Sequence, residues 1–325
     1  MPWLPLLIGG VLCLVLCAYL LAGKRPYRSP QSVAANYDHW TRDGLLERLW
    51  GDHIHLGYYG DPPQPQDFRA SKARLVHEMV HWAGLHKLPS GSRLLDVGCG
   101  IGGSARILAR DYGFQVLGIS ISSQQIDRAR ALTPAHIPCR FAVMDALAMP
   151  MADGCFDAIW TVEAAPHIAD KQRFANELLR LLKPGGRLVM ADWNQRDSRQ
   201  QPPGRLEQMV LGILLTQWGH AAFDSMEAVQ EHLQASPYGC ANLHTADWSR
   251  ATFPAWPEAI REGFRRPWAV LSLGPAAVVQ GLREVPTILL MAWAWRRGLL
   301  RFGVFRAERA GSGSGDGSIA HRLPS

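Results

Sequence analysis

The stretch Leu94-Leu95-Asp96-Val97-Gly98-Cys99-Gly100-Ile101-Gly102-Gly103 constrains the fold more than any other part of the chain. An apolar strand closes on an acid and glycines then recur at alternate positions. The backbone can turn sharply there, and a ligand can lie against it without meeting side chains. A helix predicted to start near Gly103 and Ser104 would aim its free N–H groups at that ligand. The alternation continues downstream: residues 115–119 read as a second strand ending at Ser120, 141–145 as a third, 156–162 as a fourth and 187–192 as a fifth. Between the last two, residues 174–182 carry a helical period that Lys183-Pro184-Gly185-Gly186 brings to a stop. Strands alternating with helices predict an α/β fold, a doubly wound and mostly parallel sheet, with the ligand at the carboxyl ends of its strands.

Two nucleotide-like ligands suit such a loop. A dinucleotide calls for G-x-G-x-x-G and an acid about 20 residues further on for the ribose. Here the glycines fall at 98, 100, 102 and 103 and the second strand ends in Ser120, which counts against it. S-adenosylmethionine fits better. Asp96 is placed to hold the ammonium of its methionine part, Gly98 and Gly100 to admit it to the backbone, and Asp145 to accept from its adenine amine.

LLDVGCGIGG, GCFDAIWTV and LLKPGGRLVM resemble, in order and separation, three motifs of the class I S-adenosylmethionine-dependent methyltransferases. Tyr37-Asp38-His39-Trp40-Thr41 and the segments 50–60, 191–196 and 283–291 narrow the resemblance to the tocopherol-pathway methyltransferases, over about residues 30–307. That resemblance implies a Rossmann-like seven-stranded sheet. It places an N-terminal helical segment (30–90) over the active site, and a methyltransferase domain (91–260) with a helical cap inserted at about 197–240. Cys99, Gly102, Gln125 and Ala146 complete the expected cofactor site. Ser120 departs from the wider superfamily, where an acid grips the ribose hydroxyls; a serine makes a weaker contact. The implied acceptor is the ring of a prenylated quinol, 2-methyl-6-phytyl-1,4-benzoquinol or its solanesyl counterpart. Gamma-tocopherol methylation and a non-catalytic cofactor-binding scaffold at a membrane are the alternatives.

Methylation of a quinol ring carbon needs a neighbouring hydroxyl to lose its proton, so a base is expected beside the methyl group. His167, just past the fourth strand, is the candidate. Glu163 would orient it or contact the cofactor, and Tyr37 is a second candidate from the N-terminal helix. His53 and His55 supply two ligands at most, without C-x-x-C or H-E-x-x-H, so no metal is expected.

Residues 3–22 contain no charged side chain, and at ~1.5 Å per residue a helix of that length crosses the ~30 Å hydrocarbon layer. Residues 1–24 are therefore expected to be a transmembrane anchor. Lys24, Arg25 and Arg28 follow it, which puts the catalytic domain on the cytoplasmic face, of a plasma or thylakoid membrane if the source is a cyanobacterium. The six cysteines lack a framework spacing, so free thiols are expected. Net charge is +6, with arginines gathered near 261–309 and no nucleic-acid motif; membrane lipids are the expected contact. Residues 285–295, beside Trp293, Trp295, Arg296, Arg297 and Arg301, suit either an interfacial helix in a C-terminal membrane segment (261–309) or a core helix. The helix-like run 206–218 could line a channel for a prenyl tail, and 310–325 reads as a flexible tail.

Overall fold

The computed structural model describes residues 24–311 together with 9, 10 and 13. Five strands, β1 (Arg93–Val97), β2 (Gln115–Ser120), β3 (Cys139–Val143), β4 (Phe156–Val162) and β5 (Leu182–Gln195), pair in parallel. β6 (Cys240–Asp247) and β7 (Leu300–Arg309) complete the sheet in the order β3-β2-β1-β4-β5-β7-β6, with β7 antiparallel to both its neighbours.

Alternation along each strand sends side chains to two cores, one on each face. On β4, Ala158 and Trp160 join one cluster and Ile159 the other; on β1, Leu94 joins the first and Leu95 and Val97 the second. All six side chains are essentially inaccessible to water. Helices α4 (Gly103–Tyr112), α5 (Ser123–Leu132) and α6 (Lys171–Leu181) make the crossovers. Ser122 caps α5 by accepting from the Gln125 N–H, and Asp170 caps α6 by accepting from Arg173.

Before the sheet come α1 (Pro30–Asp43), α2 (Leu45–Trp50) and α3 (Phe68–Trp82). Residues 50–55 cross from α2 to α3 over the glycine loop and are held from below. The buried Lys72 Nζ donates to the carbonyls of Trp50 (3.2 Å) and His53 (3.0 Å) and lies 3.8 Å from the Trp50 ring centre. Arg106 pins the loop itself, donating to the Ile101 carbonyl and to Asp52, 2.8 Å each.

Between β5 and β6 lie α7 (Arg205–Gln217) and α8 (Met226–Gln234), in the region expected to be a cap, but α8 packs beside α6 on the sheet face, with Met226, Val229 and Leu233 in the second core. Between β6 and β7 lie α9 (Ser249–Thr252), α10 (Ala255–Arg265), α11 (Pro267–Leu271) and the 22-residue α12 (Pro275–Arg296).

Several expectations change. The sheet does not end before residue 260, because β7 fills the space between β5 and β6 and its Leu300, Phe302, Val304 and Phe305 are fully buried. The fifth strand starts at Leu182, so Lys183-Pro184-Gly185-Gly186 begins a strand as well as ending a helix. The third ends at Val143, leaving Asp145 in the following turn. Residues 285–295 are the inner half of α12. Met291 and Ala294 have no exposure and Trp295 is buried, so most of this stretch packs as a core helix, while Leu289 on its outer side is exposed. The anchor expected over 1–24 falls almost wholly outside the described residues. Among the described residues no helix is long and apolar enough to cross a membrane.

Candidate active site

A cavity of about 280 Å³ opens at the carboxyl ends of β1, β2 and β4, with α1, α2 and residues 50–55 as its roof. Its floor is the glycine loop. Asp96, at the end of β1, is buried, and its Oδ2 has no hydrogen-bond partner. Burial pushes its pKa up to about 7. A carboxylate stripped of water and left unpaired is costly, and an ammonium placed against it removes that cost. The residues present therefore fit the methionine end of S-adenosylmethionine.

The glycines divide the work of the loop. Gly98 and Gly100 both have positive φ, +79° and +55°. A Cβ on Gly98 would come within 2.7 Å of Ala164 Cβ, whereas on Gly100 the nearest atom is Gln125 Nε2 at 3.9 Å. Gly100 is thus the open position over which a ligand can lie. Gly102 was expected to contact the cofactor, but a Cβ there would meet the Phe141 ring at 2.8 Å. It lies off the cavity wall and lets strand and helix approach. Cys99 lines the cavity, and burial raises its thiol pKa so that it stays protonated.

Ser120 Oγ donates to Gln125 Oε1 at 2.7 Å and accepts from the Ser122 N–H at 3.2 Å. Where an acid would meet a ribose, this chain has a serine–glutamine pair. Asp38 of α1, which the sequence reading gave no role, accepts from Ser122 Oγ (2.6 Å) and the Gln124 N–H (3.2 Å), tying the roof to the start of α5. Asp145 and Ala146 line the far end; Asp145 accepts from the Leu147 N–H at 2.8 Å, and burial together with the Asp145 charge raises the Tyr27 hydroxyl pKa.

The structure brings Tyr37 and His167 together although 130 residues separate them, with Tyr37 Oη 2.8 Å from His167 Nε2. His167 Nδ1 is 3.2 Å from the Gly219 carbonyl, an acceptor only, so Nδ1 carries the proton and Nε2 accepts from Tyr37. Burial drives His167 down to about 4 and, with Glu163 and Asp192 nearby, drives Tyr37 upward. Glu163 does not orient the histidine. Its Oε1 accepts from the Leu56 N–H at 2.7 Å, fastening the roof to the end of β4, and burial pushes its pKa up to about 8. It does so from a φ of +55°, a strain of about 1–3 kcal/mol of the kind found at functional sites. Asp192 supports the same loop by accepting from the Ala165 N–H at 3.0 Å.

Aromatic rings close the remaining side: Trp40, Trp193, Trp218, His220 and Trp256 all line the cavity. Of the run 206–218 expected to line a channel, only Trp218, at the C-terminal cap of α7, reaches the cavity; His220 in the following loop joins it. Gln280, Glu284 and Ile288 of α12 form the outer wall. Glu284 accepts from Trp218 Nε1 at 2.7 Å and from Arg25 at 3.2 Å. A carboxylate at the edge of a long apolar run was the available signal, since such a group needs partners when it is half-buried. His53 and His55 are partners of each other, Nδ1 to Nε2 at 3.1 Å, above Gly103.

Sheet order, glycine loop and unpaired Asp96 together define a class I S-adenosylmethionine-dependent methyltransferase. A family model described as a methyltransferase domain matches residues 95–190. The 2-methyl-6-phytyl-1,4-hydroquinone methyltransferase of Synechocystis sp. is 53% identical over 313 residues, 95% of this chain and 98% of that protein. The chloroplastic tocopherol O-methyltransferase of Arabidopsis thaliana is 31% identical over 82% of this chain and 79% of its own. Among solved structures, a sarcosine dimethylglycine methyltransferase, so described provisionally, from Galdieria sulphuraria superposes with a TM-score of 0.71 at 20% identity, over 82% of this chain and 98% of that one. The chain belongs to the tocopherol-pathway family of methyltransferases.

Proposed function

We propose that the protein methylates a ring carbon of 2-methyl-6-phytyl-1,4-benzoquinol, or of its solanesyl analogue, in the synthesis of tocopherol and plastoquinone. The observation that carries this reading is the 53% identity with the Synechocystis enzyme over nearly the whole of both chains. S-adenosylmethionine supplies an electrophilic methyl group: a carbon–carbon bond forms at the ring, the carbon–sulfur bond breaks, and the ring carbon gives up its hydrogen as a proton.

The chain's own part is positioning and proton handling. Asp96 holds the amino-acid end of the donor, and Ser120 with Gln125 meets its ribose. The tryptophans of the wall pack on one another and offer a flat ring an apolar surface that excludes water. Tyr37 can accept from a quinol hydroxyl while donating its own proton to His167 Nε2, and the Gly219 carbonyl keeps the histidine in the tautomer that can receive it.

Full transfer before methylation is disfavoured. A phenol near ~10 facing an imidazole held at about 4 is a gap of roughly 6 units, about 8 kcal/mol. The proton therefore shifts as the carbon–carbon bond forms, when the phenol becomes a far stronger acid. The donor-site residues and the aromatic wall line one and the same cavity, so a ring held against the wall lies beside the methyl donor while an isoprenoid tail leads outward. An apolar run over 3–22 followed by Lys24, Arg25 and Arg28 supports a membrane location with the catalytic domain on the cytoplasmic side.

Membranes carrying the protein, supplied with labelled donor and each quinol in turn, test the substrate. Label in the 2,3-dimethyl product is expected. Label only in alpha-tocopherol moves the assignment to gamma-tocopherol, and donor binding without transfer to any quinol refutes the enzyme reading.

A further inference from the structure

Outside the cavity, α10, α11 and the outer face of α12 present large apolar side chains to solvent. Phe264 is 81% exposed, Trp268 78%, Leu271 50%, Leu282 55% and Leu289 57%. Among the described residues Trp268 is the one exposed tryptophan. α11 buries none of its residues, so Trp268 and Leu271 contribute nothing to a core. At 100° per residue, Val279, Leu282 and Leu289 share one face of α12, and the cavity-lining Gln280, Glu284 and Ile288 share the other. One helix thus separates the active site from this apolar surface. The patch also adjoins the roof, where Arg48 of α2 donates to Ser272 just after α11 at 2.6 Å.

Charge follows the same surface. Residues 261–301 hold seven arginines against two glutamates, so five of the chain's six net positive charges lie in this stretch. Arg261, Arg265 and Arg266, beside Phe264, are 62%, 55% and 45% exposed; Arg261 and Arg265 share Glu258 and Arg266 pairs with Glu262, so three guanidiniums face two carboxylates and one positive charge remains over. Aromatics and leucines ringed by arginines match the boundary of an anionic bilayer: rings enter the acyl edge and guanidiniums stay with lipid phosphates. Exposed apolar side chains gathered on adjoining helices and rimmed by charge mark an interaction surface.

We propose that the face formed by Phe264, Trp268, Leu271, Val279, Leu282 and Leu289 docks on an anionic lipid bilayer, turning the outer wall of the cavity toward the acyl layer. A prenyl tail then stays in the membrane while its ring enters beside α12. That consequence rests on the prenylquinol reading; the exposed side chains and the charge do not.

The test uses the full chain reconstituted in vesicles with roughly one-third phosphatidylglycerol. Brominated lipid quenches tryptophans that enter the acyl layer, and wild type minus Trp268→Phe isolates the signal of Trp268 from that of any other tryptophan. Quenching of this difference signal by about half or more is expected. An unquenched signal overturns the proposal. In the same vesicles Phe264→Ser/Trp268→Ser is expected to slow transfer to bilayer-dissolved prenylquinol about fivefold or more, and to leave transfer to a tail-less, water-soluble quinol within about twofold. Equal slowing on both quinols, or on neither, overturns the role in substrate entry. If neither quinol is methylated by wild type, the substrate reading fails, while the quenching result still decides whether the face meets lipid.

Discussion

Asp96→Asn is the sharpest probe of the donor site. Burial holds the Asp96 carboxyl at about 7 instead of its ordinary 3.8, a difference of about 3 units or about 4 kcal/mol. Because the folded-state pKa is raised, the associated stability is present in full below the unfolded-chain value of ~3.9 and is lost as pH rises through about 7. The ligand-free protein therefore gives up about 4 kcal/mol over that range, and the asparagine variant does not. The donor's ammonium reverses the preference by favouring the ionised carboxylate, so binding below about pH 7 must expel a proton. Calorimetric titration with S-adenosylhomocysteine, which keeps the ammonium and lacks the methyl, reads this between about pH 5.5 and 7.5, where the α-amine stays protonated. The dissociation constant should rise about tenfold per unit of pH below about 7, with nearly one proton released at the acid end and few at the other. The Asp96→Asn variant should show a flattened profile and bind most weakly, relative to wild type, at the alkaline end. Other raised carboxyls, Glu163 among them, are common to both proteins and cancel in the comparison. Equal slopes in the two proteins, or no proton release from wild type, would refute the role given to Asp96.

Tyr37→Phe and His167→Ala should each lower kcat by about 10²-fold or more with little change in donor affinity, the size expected of a lost proton-transfer partner; rapid-quench turnover beside the calorimetry checks it, and unchanged kcat removes the pair from the reaction. Since burial holds His167 at about 4, kcat should show no histidine inflection near ~6.5, and a bell centred there would contradict the geometry. Ser120→Asp should tighten donor binding about tenfold by adding a charge-assisted hydrogen bond to the ribose; weaker binding would show that the Ser120–Gln125 pair already makes the contact. Gly98→Ala should cost about 1–3 kcal/mol in thermal or denaturant unfolding, because it combines a φ of +79° with a 2.7 Å approach to Ala164 Cβ; an unchanged midpoint would show that the loop yields.

What the sequence determined by itself is local. Apolar runs marked β1, β2 and β4 to within a residue or two, the glycines marked the start of α4 and amphipathic spacing the body of α6, though not α5, and the run from Leu94 to Gly103 identified a nucleotide-like site with Asp96 at its edge. These features depend on neighbours in the chain, so the chain displays them. Residues 285–295 show where such reading stops: aromatics beside arginines suit an interface or a core helix, Trp295 is buried, and the exposed aromatics lie earlier, at Phe264 and Trp268. Composition showed aromatics beside arginines but not which of them are exposed, because a face is selected only by what packs against it.

The tertiary structure alone decided which distant groups meet. It set Tyr37 against His167, turned Glu163 from the histidine to the Leu56 N–H, and placed Glu284 at Trp218. It also slid β7 between β5 and β6, carrying the sheet to Arg309. Each outcome sums many small packing and desolvation terms over segments far apart in the chain, and no single stretch of sequence contains that sum.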